Sequence, residues 1–371
     1  MKIKVINLLV IIFTINYCSF AQTQQECGTA DKSSWFNIMK NSVQNEIYNQ
    51  RGGQLISIPY QIHHIRASNG SANVTLAEIY NEIDSVNHFY AIAGIVFVEC
   101  MAPEIINDDY YYEFDFNLHD ADVLNQFYTP NLVNMYFTNT VTSSNGSSLC
   151  GYSRFPPSED YVVMAANCAT NGSTLAHELG HLFGLPHTHG GSSDELVDGS
   201  NCSTEGDYIC DTPADPTLSN TIVSTACIYT GTATDANGMP YAPDPNNIMS
   251  YSRKNCRDYF SPIQYAVIFS TFTDFRNYLV CNTITANSKN FTENNVVIFP
   301  NPGKNMVTFT LSKNLSQSQL CFYSITGKLI YSENSNSKFK TIETENWANG
   351  IYFYTLINSN GEVLKGKWIK K

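Results

Sequence analysis

Eleven residues constrain this chain more than any other stretch: His177-Glu178-Leu179-Gly180-His181-Leu182-Phe183-Gly184-Leu185-Pro186-His187. On a helix, His177 and His181 project from one face a single turn apart, so their two imidazoles can share one metal ion. Gly184 has no Cβ and can take a left-handed conformation that stops the helix and swings His187 back to the same ion. Three protein ligands leave a fourth position open, as catalytic rather than structural zinc requires. Glu178, beside the first ligand, reaches a water at that position, takes its proton and later passes it to a leaving amine. The five-residue His-Glu-x-x-His core alone is only moderately specific, because a surface helix can carry it by chance. The addition of Gly184 and His187 makes chance a poor explanation.

The rest of the composition narrows the setting. With 371 residues, 43% of them hydrophobic, the chain can bury a full core and has room for two or three domains. A net charge of −12 lacks the basic patch that nucleic acid needs, so no nucleic-acid partner is expected. Met1-Lys2-Ile3-Lys4, the apolar run from Val5 to Ile15 and the small residues ending near Ala21 form a secretory signal peptide over residues 1–21. Neither that run nor any later one is long enough to cross a bilayer, so no transmembrane span is expected. Cys18 follows Asn16 and Tyr17 rather than the small residues a lipid anchor requires. Eleven cysteines in an exported chain predict disulfides.

Charge and patterning divide the chain further. Residues 296–371 hold 9 lysines against 4 acidic residues, whereas residues 22–295 hold 10 basic against 29 acidic ones. The Asn-, Thr- and Ser-rich stretch 282–295 between them reads as a linker. Residues 22–52, with a helix predicted from Trp35 to Tyr48, form a pro-segment that Arg51-Gly52-Gly53 ends, an exposed place for cleavage. Residues 53–281 form the catalytic domain. Strands are predicted at Ile56–Ile65, Ile92–Val98, Leu132–Phe137 and Tyr161–Ala165, and helices at Thr75–Phe89, Thr174–Phe183 and Pro262–Tyr278. Residues 188–247 read as loop.

A second element, Asn247-Ile248-Met249-Ser250-Tyr251, lies downstream of the histidines. Taken alone, Met249 is ordinary core filling. Together the two elements resemble the metzincin metalloproteases. His187-Thr188 after Gly-Leu-Pro and the segment Gly206-Asp207-Tyr208-Ile209-Cys210-Asp211-Thr212-Pro213-Ala214 look most like the pappalysin or cytophagalysin group. The resemblance implies a two-lobed α/β (α+β) catalytic domain that cuts peptide bonds in proteins. It places Met249 beneath the ligands and gives Tyr251 a hydroxyl that donates to the developing oxyanion. Some relatives prefer basic residues at the cut bond, but no acidic group that would read them can be placed here. His189 stands where the group commonly has Phe, as a solvated loop residue or a wall of the cleft.

Cys27-Gly28-Thr29 resembles the pro-segment motif of the same group, in which a thiolate fills the fourth metal position and keeps the zymogen latent. The alternative for Cys27 is a disulfide to Cys100 or Cys281. Cys202, Cys210, Cys227 and Cys256 permit three pairings, and the resemblance favours Cys202 with Cys227 and Cys210 with Cys256; Cys150 and Cys168 form a further candidate pair. Asp194, Glu195, Asp198, Asp207 and Asp211 offer oxygen ligands for calcium as a second cation, although a solvated acidic loop explains them equally.

Beyond residue 296, alternating runs at Met306–Leu311, Leu320–Ser324, Lys328–Ser332 and Ile351–Ile357, with turns at Thr326-Gly327 and Asn349-Gly350, predict a small β-sandwich. Phe299-Pro300-Asn301-Pro302, Gly327-Lys328 and Asn349-Gly350-Ile351-Tyr352 resemble the sorting domain of type IX secretion, which implies that export machinery as a partner and a protein released or held at the cell surface. A carbohydrate- or protein-binding β module is the other reading of this domain. For the whole chain, the alternative to a peptidase is a surface adhesin with a structural zinc, and Glu178 speaks against it, because a closed structural site has no use for a water-activating carboxylate. A zinc hydrolase of non-peptide substrates is a third possibility.

Overall fold

The structure is a computed structural model that describes residues 26–31, 35, 36, 38, 39, 56–190, 194–279, 281, 296–311, 318–325, 327–335, 339–357 and 363–371. The signal peptide, most of the helix expected from Trp35 to Tyr48, Arg51 and the linker 282–295 lie outside the described residues.

The chain opens its main sheet with Ile56–Arg66 (β1), followed by the helix Leu76–Tyr90 (α1) and the strands Ile95–Glu99 (β2) and Glu104–Asn107 (β3). The helix Phe116–Phe127 (α2) leads to Val133–Thr138 (β4), Gly151–Ser153 (β5) and Tyr161–Ala165 (β6). The strand order is β2-β1-β4-β6-β5, with β3 also paired to β1. All pairs are parallel except β5 with β6. A mostly parallel sheet is covered on both faces, and the two-residue period of the strands sorts side chains accordingly. Ile58, Tyr60, Ile62, Val133, Met135, Phe137, Val162 and Met164 face the larger core, while Ile65, Tyr136, Tyr161 and Val163 face the second one.

The Thr75–Glu78 capping box starts α1, and Ile79, Ile83, Val86 and Tyr90 form its buried stripe. Tyr90 donates its hydroxyl to the Ala176 carbonyl at 3.1 Å, which ties α1 to the helix Thr174–Leu182 (α3). The strand expected from Ile92 begins at Ile95, because Ala91–Ala93 first makes one 3-10 turn that Gly94 closes at φ 72°. The last helix, Pro262–Phe275 (α4), carries a Ser261–Gln264 capping box and ends before the expected Tyr278. Arg276 terminates it by turning inward: its Nε donates to the Leu182 carbonyl at 2.8 Å and its guanidinium pairs with Asp160.

Among the described residues four disulfides form: Cys100–Cys281, Cys150–Cys168, Cys202–Cys210 and Cys227–Cys256. The expected Cys150–Cys168 pair is present. The expected Cys202–Cys227 and Cys210–Cys256 pairs are replaced by Cys202–Cys210 and Cys227–Cys256, with Cα atoms 5.1 and 5.4 Å apart. The reason is local. Successive turns, in which Thr204 and Glu205 donate to Asn201 and Tyr208 to Glu205, carry Cys202 back over Cys210. Cys227 lies in a turn closed by the Val223–Tyr229 bridge and packs with Leu218, Val223 and Cys256 as a small separate core.

The C-terminal region is all-β, as expected. Val296–Phe299, Met306–Leu311 and Phe339–Glu343 form one antiparallel sheet. Ser318–Ser324, Leu329–Ser335, Gly350–Ile357 and Val363–Lys370 form the other. Val307, Phe309, Leu320, Phe322, Tyr354 and Trp368 fill the space between them.

Candidate functional site

Every residue of α3 is buried, including His177, Glu178 and His181. Burying three such groups is costly unless they are paired or bind an ion, so this is not a surface helix that carries the motif by chance. Asn171 accepts from the Thr174 amide at 2.9 Å and starts the helix. Gly184 stops it at φ +90°, as its position predicted. No larger residue fits there, since a Cβ would meet the Trp35 ring at 2.6 Å.

The turn after Gly184 brings His187 to the other two histidines. His181 Nε2 lies 3.2 Å from His177 Nε2 and 3.1 Å from His187 Nε2. His177 Nδ1 bonds the Ile248 carbonyl at 2.8 Å and His181 Nδ1 the Leu185 carbonyl at 2.7 Å. Those carbonyls only accept, so the protons sit on Nδ1 and the Nε2 lone pairs converge. Burial lowers the affinity of all three rings for protons, His187 to about 3, so protons do not screen the lone pairs from one another at neutral pH. Three convergent imidazole lone pairs fit a metal cation. Cys27 completes the set: one ligand atom from each of Cys27, His177, His181 and His187 lies within 4.8 Å of the others.

Glu178 stands beside this cluster with one carboxylate oxygen accepting from Cys27 Sγ at 3.4 Å and Thr29 Oγ1 at 3.2 Å, and the other buried with no hydrogen-bond partner. Burial pushes its carboxyl up to about 8. Met249 lies under the helix, where a Cβ on Gly180 would come within 2.5 Å of its sulfur. Asn247 holds that turn by accepting from the Met249 amide at 2.9 Å. The Tyr251 ring packs 4.8 Å from His187 and 4.5 Å from His189 between centroids. His189 is therefore part of the wall of the site and does not belong to the cluster of four.

The segment 26–31 contributes more than Cys27. Gly28 donates to the Gly151 carbonyl at 2.8 Å, and Thr29 Oγ1 accepts from the Ser153 amide at 2.8 Å, so the segment runs along the edge strand β5. Asp31 lies 3.2 Å from His187 Nδ1, and Trp35 donates to the Gly184 carbonyl at 2.8 Å. No spacing in the sequence signals Asp31 or the two carbonyls that orient the rings. The acidic residues of the loop act as turn and cap acceptors: Asp207 accepts from Ile209 and Thr212, Asp198 from Ser200, and Asp211 from Ser261 and the Ile263 amide.

Comparison with known proteins bears on the family of the chain. Residues 117–268 match the family described as pregnancy-associated plasma protein-A, a peptidase family, and residues 297–371 match the secretion system C-terminal sorting domain. An extracellular metalloprotease of Colletotrichum graminicola is 26% identical over 238 residues, covering 60% of this chain and 78% of its own. One from Pyricularia oryzae is 27% identical over 234 residues, covering 57% and 74%. Metalloproteinase-II of Bacteroides fragilis overlaps 40% of this chain and 51% of its own at 12% identity, with a TM-score of 0.27, too low to bear on the fold. Among the described residues no helix is long and apolar enough to cross a membrane. The chain is thus a metalloendopeptidase that is secreted or held at the cell surface, with a segment at 117–268 similar to the pappalysin peptidases and a secretion sorting domain over residues 297–371.

Proposed function

We propose that the protein is a zinc endopeptidase held latent by its own N-terminal segment. The observation that carries this reading is the convergence of three buried imidazole Nε2 atoms beside a buried carboxylate with one unpartnered oxygen. His177, His181 and His187 would hold the zinc, which supplies a Lewis acid that acidifies water and polarises the scissile carbonyl. Glu178 would take the water's proton and deliver it to the leaving amine, and its buried carboxylate beside the histidine cluster, with one oxygen unpartnered, is placed for both roles. Tyr251 donates its hydroxyl to the oxygen on which negative charge develops. The edge strand β5 binds the substrate backbone as an added strand, as it binds Gly28. Cys27 fills the remaining metal position until the segment leaves. In this reading the catalytic domain is two-lobed and metzincin-like, with the main sheet, α1 and α3 in one lobe and the segment after Gly184 in the other. Type IX machinery then exports it by its C-terminal domain.

A second reading takes Cys27 as a permanent fourth ligand of a structural zinc in a surface adhesin. It leaves the buried carboxylate of Glu178 without a purpose. Zinc content and proteolysis of the secreted protein separate the two. The enzyme reading expects one zinc per chain, its loss in His187→Ala, and a rise in chelator-sensitive cleavage in Cys27→Ala. Full zinc occupancy with no cleavage by the Cys27→Ala chain would favour the adhesin.

A further inference from the structure

Beside the metal ligands, at the corner where segment 26–31 enters the site, two cations face one carboxylate. The Arg257 side chain is 1% exposed; its Nε donates to the Ser252 carbonyl at 3.0 Å and its Nη2 to Glu26 Oε2 at 3.1 Å. Lys254 Nζ lies 3.7 Å from the same oxygen. Glu26 immediately precedes Cys27, and the following residues run along β5, where an extended substrate would lie. A side chain in Glu26's place therefore belongs to a residue next to the one at the metal. Among the described residues, Glu26 is the one carboxylate within ion-pair distance of Arg257, and it leaves with the pro-segment. Once the segment leaves, the guanidinium faces the opened cleft without a carboxylate partner, and a carboxylate in Glu26's place regains the charge-assisted hydrogen bond. An apolar side chain would leave it unpaired and a basic one would be repelled; only a carboxylate restores the contact.

We infer that Arg257 and Lys254 form a carboxylate-reading pocket, so that the enzyme selects Asp or Glu in a residue flanking the bond it cuts. This specificity rests on the peptidase reading above, and it reverses the basic preference that the family resemblance implies for some relatives.

Two measurements test it. The zinc-loaded full-length chain carrying Cys27→Ala is incubated with a peptide library, and the residues flanking each new terminus are counted. Asp and Glu are expected to be enriched at least about tenfold at one flanking position, with the enrichment lost in Arg257→Gln and reduced or inverted in the milder Lys254→Glu. Cleavage with no acidic preference, or release of only C-terminal residues, would overturn the inference.

The second measurement needs no catalysis. Amide exchange at Gly28 in the full-length chain should accelerate at least about tenfold in Glu26→Gln and in Arg257→Gln, with no further gain in the double variant. If no form cuts, the peptidase reading falls and exchange alone judges the pocket. Unchanged exchange in Glu26→Gln would then overturn it too.

Discussion

The helix that carries His177, Glu178 and His181 and the loop segment after His187 meet at one site, yet they are held by different forces. The α3 helix is buried throughout and fixed by apolar packing: Phe183, at its end, stacks edge-on against Tyr90 and Phe97. Among the described residues 188–190 and 194–261, no helix or multi-residue strand forms. Two disulfides, a three-residue core and side-chain-to-backbone bonds such as Asp235 to Met239, Asp244 to Asn246 and Asn247 to Met249 hold that segment. One part of the site is thus positioned by the hydrophobic effect and the other by covalent and local polar restraints.

The largest expected loss lies in the helical part. Phe183→Ala should cost about 3–5 kcal/mol in urea unfolding, since it empties a fully buried aromatic site. A cost under about 1 kcal/mol would show that packing does not hold the helix. In the loop, replacing Cys227 and Cys256 by serine should cost about 3–4 kcal/mol, and replacing Cys202 and Cys210 about 2–3 kcal/mol, because the first bridge closes the longer loop. Thermal unfolding of the two double variants reads the difference, and equal losses would refute the loop-closure account.

The smallest effect concerns Glu82 on α1, whose carboxylate accepts from the Gly172 amide at 2.9 Å just before α3. Burial raises its carboxyl from 4.5 to about 7. An acid with a raised folded value favours the folded state when protonated, so its ionisation cost is absent below pH 4.5 and complete above about pH 7. Glu82→Gln should therefore stabilise the protein by about 1–2 kcal/mol at pH 8 and by nothing at pH 4. Melting curves at the two values check this, and a gain independent of pH would contradict the sign.

The same division decides what the sequence could reveal. The β1 and β6 strands, α1 and α3 show their period in apolar side chains, and their limits came within a few residues of the structure. Gly184 was legible because one backbone conformation is needed there. The strand Gly151–Ser153, which carries segment 26–31, is three residues long and too short to show a period. The helix Phe116–Phe127 mixes polar and apolar residues and buries only His119 and Val123. The loop pairings failed because cysteine spacing does not encode the turns that return Cys202 to Cys210. Asp31, Glu26 and Arg257 stayed hidden because their partners are far along the chain.

The most direct test of the central claim compares cleavage of an internal peptide bond by the Cys27→Ala chain with and without the further change Glu178→Ala, at equal zinc content. Catalysis through this carboxylate predicts that the second change lowers the rate by about 10²–10⁴-fold while the zinc stays bound. An undiminished rate in the zinc-loaded Glu178→Ala form would contradict the role assigned to Glu178 and the mechanism built on it.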